Sequence, residues 1–313
     1  MSINHVQFQK GLSLDEFIEQ YGKEESCRKS VLKAKWPRGF ICPKCGDTNH
    51  CKLTRGNYQC NQCHHQTSLI SGTIFQGTKL PLRKWFLAMY LLTQHKKGVS
   101  ALQLSRDLGV NYKTAWSIKH KLMQTMMERQ QEKKLQGRVE MDDAYLGGEH
   151  SGKRGRGSEN KFPFIAAVET TDDGKPIQIH LRRVAGFRTE EISQYAKASL
   201  DPNSHVFTDG LACFKGLVDA GCEHTAIVTG GGKSCVKIEA FTWVNTVLGN
   251  VKNALTGTYH AIRKNHASRY LAEFEYRFNR RFDLPSMLDR LLFIAVKTPP
   301  MPNRLLKMAE NYG

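Results

Sequence analysis

Four cysteines form the most specific chemical pattern in the sequence. Cys42 and Cys45 make one CxxC pair, and Cys60 and Cys63 make a second pair after a gap of fourteen residues. Because each pair can donate two thiolates to one tetrahedral ion, the spacing predicts a structural Zn²⁺ site in a zinc ribbon. The alternative, four unconnected reduced cysteines, explains this spacing poorly. Since four thiolates already complete the coordination shell, nearby side chains are predicted to be ordinary loop residues: His50, Cys51, His64 and His65.

Two aspartates form a second candidate site. Asp142 stands late in the strand predicted over residues 138–146, where a carboxylate has no structural reason to be, and Asp209 follows a strand predicted over 205–208. Paired carboxylates repel each other and raise each other's pKa unless a cation neutralises them. Such oxygen ligands suit Mg²⁺, and two such ions can activate a water or a 3′-hydroxyl. The alternative for either aspartate alone is a turn residue, because Asp-Asp and Asp-Gly are common in turns.

A helix-turn-helix pattern covers residues 101–121. Apolar residues recur at the spacing that turns one side of two helices inward, and Gly109 occupies the turn between them. The outward residues of the second helix form a predicted groove-reading face that consists of Tyr112, Lys113, Thr114, Ser117, Lys119 and His120. The alternative is a plain helical hairpin with a solvated basic side. A neighbouring zinc ribbon in a strongly basic chain favours DNA binding.

The elements predicted after residue 137 indicate how the two aspartates are positioned. The predicted strands cover residues 138–146, 162–170, 177–184, 205–208 and 225–228. The predicted helices cover residues 189–199, 241–255, 266–279 and 286–296. This mixed α/β order is typical of a ribonuclease-H-like sheet, in which the first and fourth strands are neighbours. That fold would bring Asp142 and Asp209 to one point.

These motifs, in this order, resemble bacterial insertion-sequence transposases that join an N-terminal zinc ribbon and a helix-turn-helix to a DDE-type catalytic domain. The matching stretches run from about residue 11 to 281 and include CPKC, CNQC, VEMDDAYLGG, VFTDG, NTVLGNVKNALTGTYH and YLAEFEYRFNRR. The resemblance implies DNA strand cleavage and strand transfer at transposon ends, in a ribonuclease-H-like site that uses Mg²⁺ or Mn²⁺. It also implies double-stranded DNA as the partner and a homo-oligomer in the synaptic complex.

The resemblance assigns the first two catalytic acids to Asp142 and Asp209, but the third position is Asn245. Lys252 follows seven residues later, as in the ISXO2-like variant, and about two helical turns place both side chains on one face. An Asn oxygen can ligate Mg²⁺ but supplies no charge, and Lys252 would hold a phosphate as a point charge. Glu239 is the alternative third ligand, and Asn245 is favoured because only Asn245 has the Lys partner. By resemblance alone, the site is lined also by Tyr259 and His260.

Charge and composition narrow the function classes. Among the 313 residues, 46 Lys and Arg oppose 29 Asp and Glu, and the net charge of +17 points to a nucleic acid. An anionic membrane surface is the weaker alternative, because no basic amphipathic helix stands out. The longest apolar run, residues 85–92, is too short to span a membrane, and the N-terminus lacks the apolar segment of a signal peptide. We therefore expect a cytoplasmic bacterial protein that associates with the nucleoid through DNA.

The domain organisation follows from these segments. We expect an N-terminal helical segment at 1–36, the zinc ribbon at 37–78, the helix-turn-helix and a linker at 79–136, the catalytic domain at 137–298 and a tail at 299–313. Two alternative functions remain open at this point. One is a DNA-binding regulator whose catalytic domain is dead, and the other is a metal-dependent nuclease of the same fold that does not join ends.

Other polar residues receive lesser roles. Asp143 is predicted to point to the opposite face of the strand from Asp142 and to be structural. The glycine-rich stretches at 153–157 and 230–234 are predicted to be flexible loops. Residues that close the helix at 266–279 are predicted to contact DNA phosphates or to favour the helix C-terminus: Arg277, Asn279, Arg280 and Arg281.

Overall fold

The computed structural model describes residues 6, 8–130, 133–147, 161–228, 238–260 and 262–308. The loops predicted at 153–157 and 230–234 lie outside these residues. The chain forms two compact units, one made of residues up to Met126 together with Phe282–Met308, and the other made of Met127–Arg281. Within the described ranges, no helix is both long enough and apolar enough to cross a membrane.

The regular elements follow the predicted order closely. The helices are α1 (Leu14–Tyr21), α2 (Glu24–Lys35), α3 (Leu82–Gln94), α4 (Ala101–Leu108), α5 (Tyr112–Gln130), α6 (Thr189–Ser199), α7 (Thr242–Ala254), α8 (Ala267–Asn279), α9 (Met287–Ala295) and α10 (Asn303–Met308). The strands are β1 (His50–Lys52), β2 (Tyr58–Cys60), β3 (Gln66–Thr67), β4 (Arg138–Leu146), β5 (Phe162–Thr170), β6 (Pro176–Arg183), β7 (His205–Thr208) and β8 (Glu223–Ala226).

The first unit is built around α3. This helix is apolar on nearly every side, and Trp85, Phe86 and Met89 are buried. A helix with this pattern needs partners all around it, and α1, α2, α4 and α9 all pack against α3. The small antiparallel sheet β1-β2-β3 of the zinc ribbon belongs to the same unit.

Helix α9 packs in the first unit, whereas the sequence analysis places it in the catalytic domain. Ile74 N donates a hydrogen bond to Ala295 O, and the Tyr21 hydroxyl lies 2.7 Å from Asp289 Oδ1. The second compact unit therefore ends near Arg281 and not at residue 298. Helical periodicity shows that α9 has a buried face, but not which core covers that face. The predicted tail at 299–313 also contains a helix, α10.

The second unit is a five-stranded mixed sheet in the order β6-β5-β4-β7-β8. β4, β5 and β6 are antiparallel neighbours, whereas β7 and β8 run parallel to β4. This is the predicted ribonuclease-H-like arrangement, with the first and fourth strands of the sheet side by side. β5 is almost continuously apolar and is buried on both faces, because α6 covers one side of the sheet and α7 with α8 covers the other.

Side chains from α8 close the free edge of β6. Leu181 N donates to Glu275 Oε2 at 3.0 Å, and Asn279 exchanges two hydrogen bonds with the backbone of Ile179, at 2.7 and 2.9 Å. Arg281 Nη1 donates to the carbonyl of Ile177 at 3.0 Å. An unprotected edge strand is a template for aggregation, so these side chains stabilise the sheet and protect it.

The predicted phosphate contacts of this segment are therefore wrong for most of its members. Asn279 and Arg281 bond to β6, and Arg277 is buried in an ion pair with Glu273 at 2.6 Å. The Arg280 guanidinium stacks on the ring of Tyr276, 3.9 Å from its centroid. A basic cluster in a sequence does not reveal whether backbone carbonyls or solvent will receive its hydrogen bonds.

Candidate functional site

Asp142, in the middle of β4, and Asp209, just after the end of β7, lie together beside neighbouring strands. β4 and β7 pair in parallel over residues 138–140 and 205–207, and each strand leads to one aspartate just beyond the paired segment. Asp209 begins a turn in which its Oδ1 accepts a hydrogen bond from Leu211 N at 3.1 Å. One carboxylate oxygen of Asp142 and one of Asp209 lie within 4.8 Å of each other. The two side chains thus converge as the strand order predicts.

Asp143 joins the same cluster, contrary to the prediction that it lies apart. One of its carboxylate oxygens lies within 4.8 Å of those of Asp142 and Asp209. Strand alternation suggested the opposite face, but β4 pairs with β7 only over residues 138–140, and Asp142 and Asp143 both lie beyond this paired segment. A hydrogen bond of 2.8 Å from Asp143 N to Asp142 Oδ1 also ties the two residues together.

The three half-buried carboxylates concentrate negative charge. Burial raises the pKa of Asp142, to about 7, and the charges of Asp143 and Asp209 contribute to the same shift. The positive charge of Lys252 acts in the opposite direction. Clustered carboxylate oxygens are the donor set that Mg²⁺ and Mn²⁺ prefer. The residues present therefore fit a divalent cation, which would remove the mutual repulsion.

Helix α7 carries the other two predicted site residues. Asn245 is half-buried in its first turns, and Lys252 is exposed two turns later. Glu239 lies in the short 3₁₀ turn Glu239–Phe241 that precedes α7, and its side chain is outside the described part of the chain.

Glu140 is a buried residue of the site that the sequence analysis missed. Its Oε2 accepts hydrogen bonds from the backbone N–H groups of Trp243 and Val244, at 2.8 and 3.0 Å, and so caps the start of α7. Only 1% of Glu140 is exposed. The signal in the sequence is its spacing, since residues two apart in a strand share a face and Glu140 precedes Asp142 by two.

Tyr259 is half-buried and bonds to the buried carboxylate of Glu273. Its hydroxyl donates to the carboxylate of Glu273, with both oxygens at 2.8 to 2.9 Å. Burial raises the pKa of Tyr259 well above its usual range, and the charge of Glu273 adds to the shift. The following residue, His260, has a positive φ of 54° and ends the π-helical turn Leu255–Tyr259.

The four cysteines of the ribbon are arranged for one zinc ion. The Sγ atoms of Cys42 and Cys63 are 3.6 Å apart, and those of Cys45 and Cys60 are 3.5 Å apart. Four sulfurs at about 2.3 Å from a tetrahedral ion would be about 3.8 Å from one another. The thiols therefore fit a Zn²⁺ ion after small adjustments, and the chemistry of four thiolates suits no hard cation.

The helix-turn-helix has the predicted turn. Gly109 adopts the left-handed conformation, with φ 58° and ψ 47°, and ends α4. Ser100 caps the start of α4 by accepting a hydrogen bond from Gln103 N at 3.1 Å. The inward residues of both helices are buried, among them Leu104 and Ile118. The first turn of α5 is therefore the part of the helix-turn-helix that faces outward.

The predicted groove-reading face is only partly exposed. Tyr112 is 53% exposed and Lys113 is exposed, whereas Lys119 and His120 have no exposed surface. The assignment of these last two residues to a DNA-binding face is wrong. The ammonium group of Lys119 donates to Val99 O at 2.7 Å, and the His120 ring stacks on the ring of Trp116. Because other residues cover α5 on more than one side, the groove-reading face cannot extend along the whole of this helix.

Helix α10 covers another residue of the predicted groove-reading face. Ser117 Oγ lies 2.5 Å from Asn303 Oδ1 at the start of α10, so this position on α5 is half-covered. Thr114 is also half-buried, and its N–H donates to Asn111 Oδ1 at 2.8 Å. The exposed part of the predicted set therefore reduces to Tyr112 and Lys113, with Thr114 at the edge.

The sequence comparisons agree with this architecture. Residues 134–279 match the ISXO2-like transposase domain, and residues 22–66 match the transposase zinc-ribbon domain. A relative from Halobacterium salinarum, described as an uncharacterized protein in transposable element ISH50, is 25% identical over 286 residues, or 83% of this chain and 92% of that protein.

Solved structures offer a more distant likeness. A pre-cleavage Mos1 transpososome matches 63% of this chain and 77% of its own chain, at 10% identity and a TM-score of 0.22. The Mos1 strand transfer complex matches 63% and 76%, at 11% identity and a TM-score of 0.21. The strand order β6-β5-β4-β7-β8 itself defines the fold of the second unit. In this chain, a region similar to the transposase zinc-ribbon domain thus precedes a region similar to the ISXO2-like transposase domain.

Proposed function

We propose that this transposase binds the terminal repeats of its element and catalyses DNA strand cleavage and strand transfer that depend on Mg²⁺ or Mn²⁺. The observation that carries the proposal is the convergence of Asp142, Asp143 and Asp209, from two distant parts of the chain, within 4.8 Å. In this proposal the zinc ribbon and the helix-turn-helix bind the repeats. Two or more copies of the chain hold the paired ends in the synaptic complex.

The side chains of the site have distinct tasks in this mechanism. Asp142 and Asp209 would hold the divalent ions, with Asn245 as a neutral oxygen ligand from α7. Bound ions supply the activation of the attacking water or 3′-hydroxyl and the stabilisation of the leaving oxygen. Lys252, exposed on α7, would hold a DNA phosphate as a point charge.

Asp143 completes the proposed donor set. A site with Asn in the third position has one carboxylate fewer than a site with three acids, so it offers less negative charge to two divalent ions. Asp143 lies close enough to Asp142 and Asp209 to supply the missing charge. We therefore assign Asp143 to the metal site, either as a ligand or through a bound water.

A strand-transfer assay with labelled repeat ends and Mg²⁺ tests the proposal. Joined product is the expected result, and it should disappear in Asp142→Ala and Asp209→Ala while binding to the repeat ends is retained. Asp173→Ala, which replaces an exposed aspartate in the same unit, is the matched control and should leave the reaction unchanged. Nicks without joining would indicate a nuclease, and binding without cleavage would indicate a regulator.

The third ligand needs its own comparison. Asn245→Ala should impair cleavage more than Glu239→Ala, because Asn245 shares α7 with Lys252, whose charge acts on the pKa of Asp142. The comparison is made at several Mn²⁺ concentrations, since a lost ligand raises the metal concentration that the reaction needs. The reverse order of the two variants would assign the third position to Glu239.

A further inference from the structure

We infer that Glu140 is a positioning residue that fixes α7, and with it Asn245, against the strand that carries Asp142. The inference rests on the proposed function for its activity measurement only. Glu140 Oε2 accepts from Trp243 N and Val244 N at 2.8 and 3.0 Å, in the residues that immediately precede Asn245. The same carboxylate therefore bonds to α7 at a point two strand residues away from Asp142.

The other carboxylate oxygen of Glu140 is held from the sheet. Arg138 Nη1 donates to Glu140 Oε1 at 3.0 Å and also to Thr170 Oγ1 on β5 at 2.9 Å. The Arg138 guanidinium lies 4.7 Å from the ring centroid of Phe207 on β7. Arg138 thus connects the carboxylate to three neighbouring strands, and the sheet itself fixes the position of Glu140.

The unpaired N–H groups at the start of α7 explain why a charged residue is needed at position 140. The first N–H groups of a helix have no partners within the helix, and those of Trp243 and Val244 face the buried side of α7. A buried carboxylate satisfies two of them at once and interacts favourably with the helix dipole. Glu140 touches no reacting atom in the proposed mechanism, so it acts only through the placement of α7.

Two substitutions of Glu140 separate placement from folding. Glu140→Gln keeps the shape but removes the charge, and Glu140→Asp keeps the charge but shortens the reach. The matched control is Glu169→Gln, because Glu169 is also buried in the sheet and accepts from Gln136 N and Gln178 Nε2, away from α7. Thermal unfolding of all three variants identifies those that remain folded.

The activity measurement is a double-mutant cycle. We expect Glu140→Gln to slow cleavage about tenfold or more, since small misplacements in an active site are costly, and to raise the Mn²⁺ concentration for half-maximal rate. In the Asn245→Ala background the same substitution should cost much less, because the residue that it positions is gone. Equal losses in both backgrounds, or an equal loss in Glu169→Gln, would overturn the inference.

Amide hydrogen exchange gives a measurement that does not depend on activity. In Glu140→Gln and Glu140→Asp, exchange at Trp243 and Val244 should accelerate about tenfold, whereas Glu169→Gln should leave both amides protected. Unchanged exchange at these amides in both folded variants would overturn the inference. If the wild-type chain cleaves no DNA, the proposed function fails, and the exchange measurement still decides whether Glu140 anchors α7.

Discussion

The single residues proposed for the active site differ in charge. Asn245 contributes an uncharged oxygen, and Lys252 contributes a positive charge on the same helix. The negative charge comes from β4 and from the turn after β7, where Asp142, Asp143 and Asp209 cluster. In the proposed site, an adjacent pair of acids on one strand would thus compensate for an amide on a helix.

This arrangement makes Asp143 testable by metal binding alone. We expect Asp143→Asn to weaken Mn²⁺ binding about tenfold, the effect typical of a lost ligand or outer-sphere carboxylate, as measured by isothermal titration calorimetry. Asp173→Asn is the control, because Asp173 is exposed and pairs with Lys175 at 3.2 Å. Equal Mn²⁺ affinity in Asp143→Asn and the wild-type chain would remove Asp143 from the metal site.

Glu275 makes a second residue-scale prediction, concerning pH and stability. Burial raises its pKa to about 8, despite the opposing hydrogen bond from Leu181 N and the charges of Arg182 and Arg280. Burial raises the pKa of Tyr195 on α6, and the charge of Glu275 adds to that shift. No described group hydrogen-bonds to Glu275 Oε1. The folded state therefore keeps the proton over a pH range in which the unfolded state loses it.

The direction in which stability changes with pH follows from this difference between the pKa of Glu275 in the folded and unfolded states. The contribution of Glu275 to stability is full below about pH 4.5 and is lost as the pH rises through about 8. Glu275→Gln should remove this loss and stabilise the protein at about pH 8.5 by about 1–3 kcal/mol, while having little effect near pH 4.5. Urea unfolding of the variant and the wild-type chain at both pH values measures this difference in stability. An equal change in stability at the two pH values would contradict the raised pKa of Glu275.

Single elements show why charge alone does not define a DNA-binding surface. Lys113 and Lys119 lie on the same helix, α5, yet Lys113 is exposed and Lys119 is buried against Val99 O. Lys119 stabilises the helix-turn-helix, and Lys113 is available to a phosphate. The two lysines should therefore respond differently to the same substitution.

Methionine at each position separates the two roles, because it approximates the length of the side chain and removes the charge. Lys119→Met should destabilise the folded chain by about 1–3 kcal/mol, since Val99 O loses its partner. Lys113→Met should leave stability unchanged and reduce the salt slope of DNA binding by about 0.9. Urea unfolding and fluorescence anisotropy measure the two effects, and a reversal between the lysines would refute this division.

The bounds of helices and strands are far easier to predict from the sequence than the tertiary contacts that these elements make. The predicted and observed bounds of β4 and β5 agree, because alternation and turn residues are local signals. The convergence of Asp142 and Asp209 follows from the strand order. The burial of Lys119, the position of Asp143 and the partners of α9 depend on contacts between residues distant in the chain, and no local pattern encodes them.

The whole molecule adds a long-range attraction for DNA. A net charge of +17 should make association strongly dependent on salt, because each neutralised phosphate releases counterions. We expect log K for a repeat end to fall linearly with log salt, by about 0.9 per phosphate contacted. Anisotropy titrations from low to physiological salt measure the slope. A flat profile would show that the charge is not used for DNA.

The zinc ribbon concentrates part of this charge. Residues 22–66 hold nine Lys and Arg against three Asp and Glu, a net charge of +6. Cys42→Ser should lose the metal, because three thiolates no longer complete the tetrahedral shell, and the ribbon should unfold while the five-stranded sheet of the other unit persists. Metal analysis should then show loss of zinc, and DNA binding should show both a lower affinity and a smaller salt slope.

The control for this prediction is a second cysteine of the same ribbon. Cys51 is exposed on β1 and lies outside the four-thiol cluster. Cys51→Ser therefore makes the same chemical change in the same small sheet, but it removes no sulfur from the proposed ion. Zinc content, affinity and salt slope should all stay at the wild-type values in this variant. Zinc retained in Cys42→Ser, or an equal loss in Cys51→Ser, would contradict the four-cysteine site.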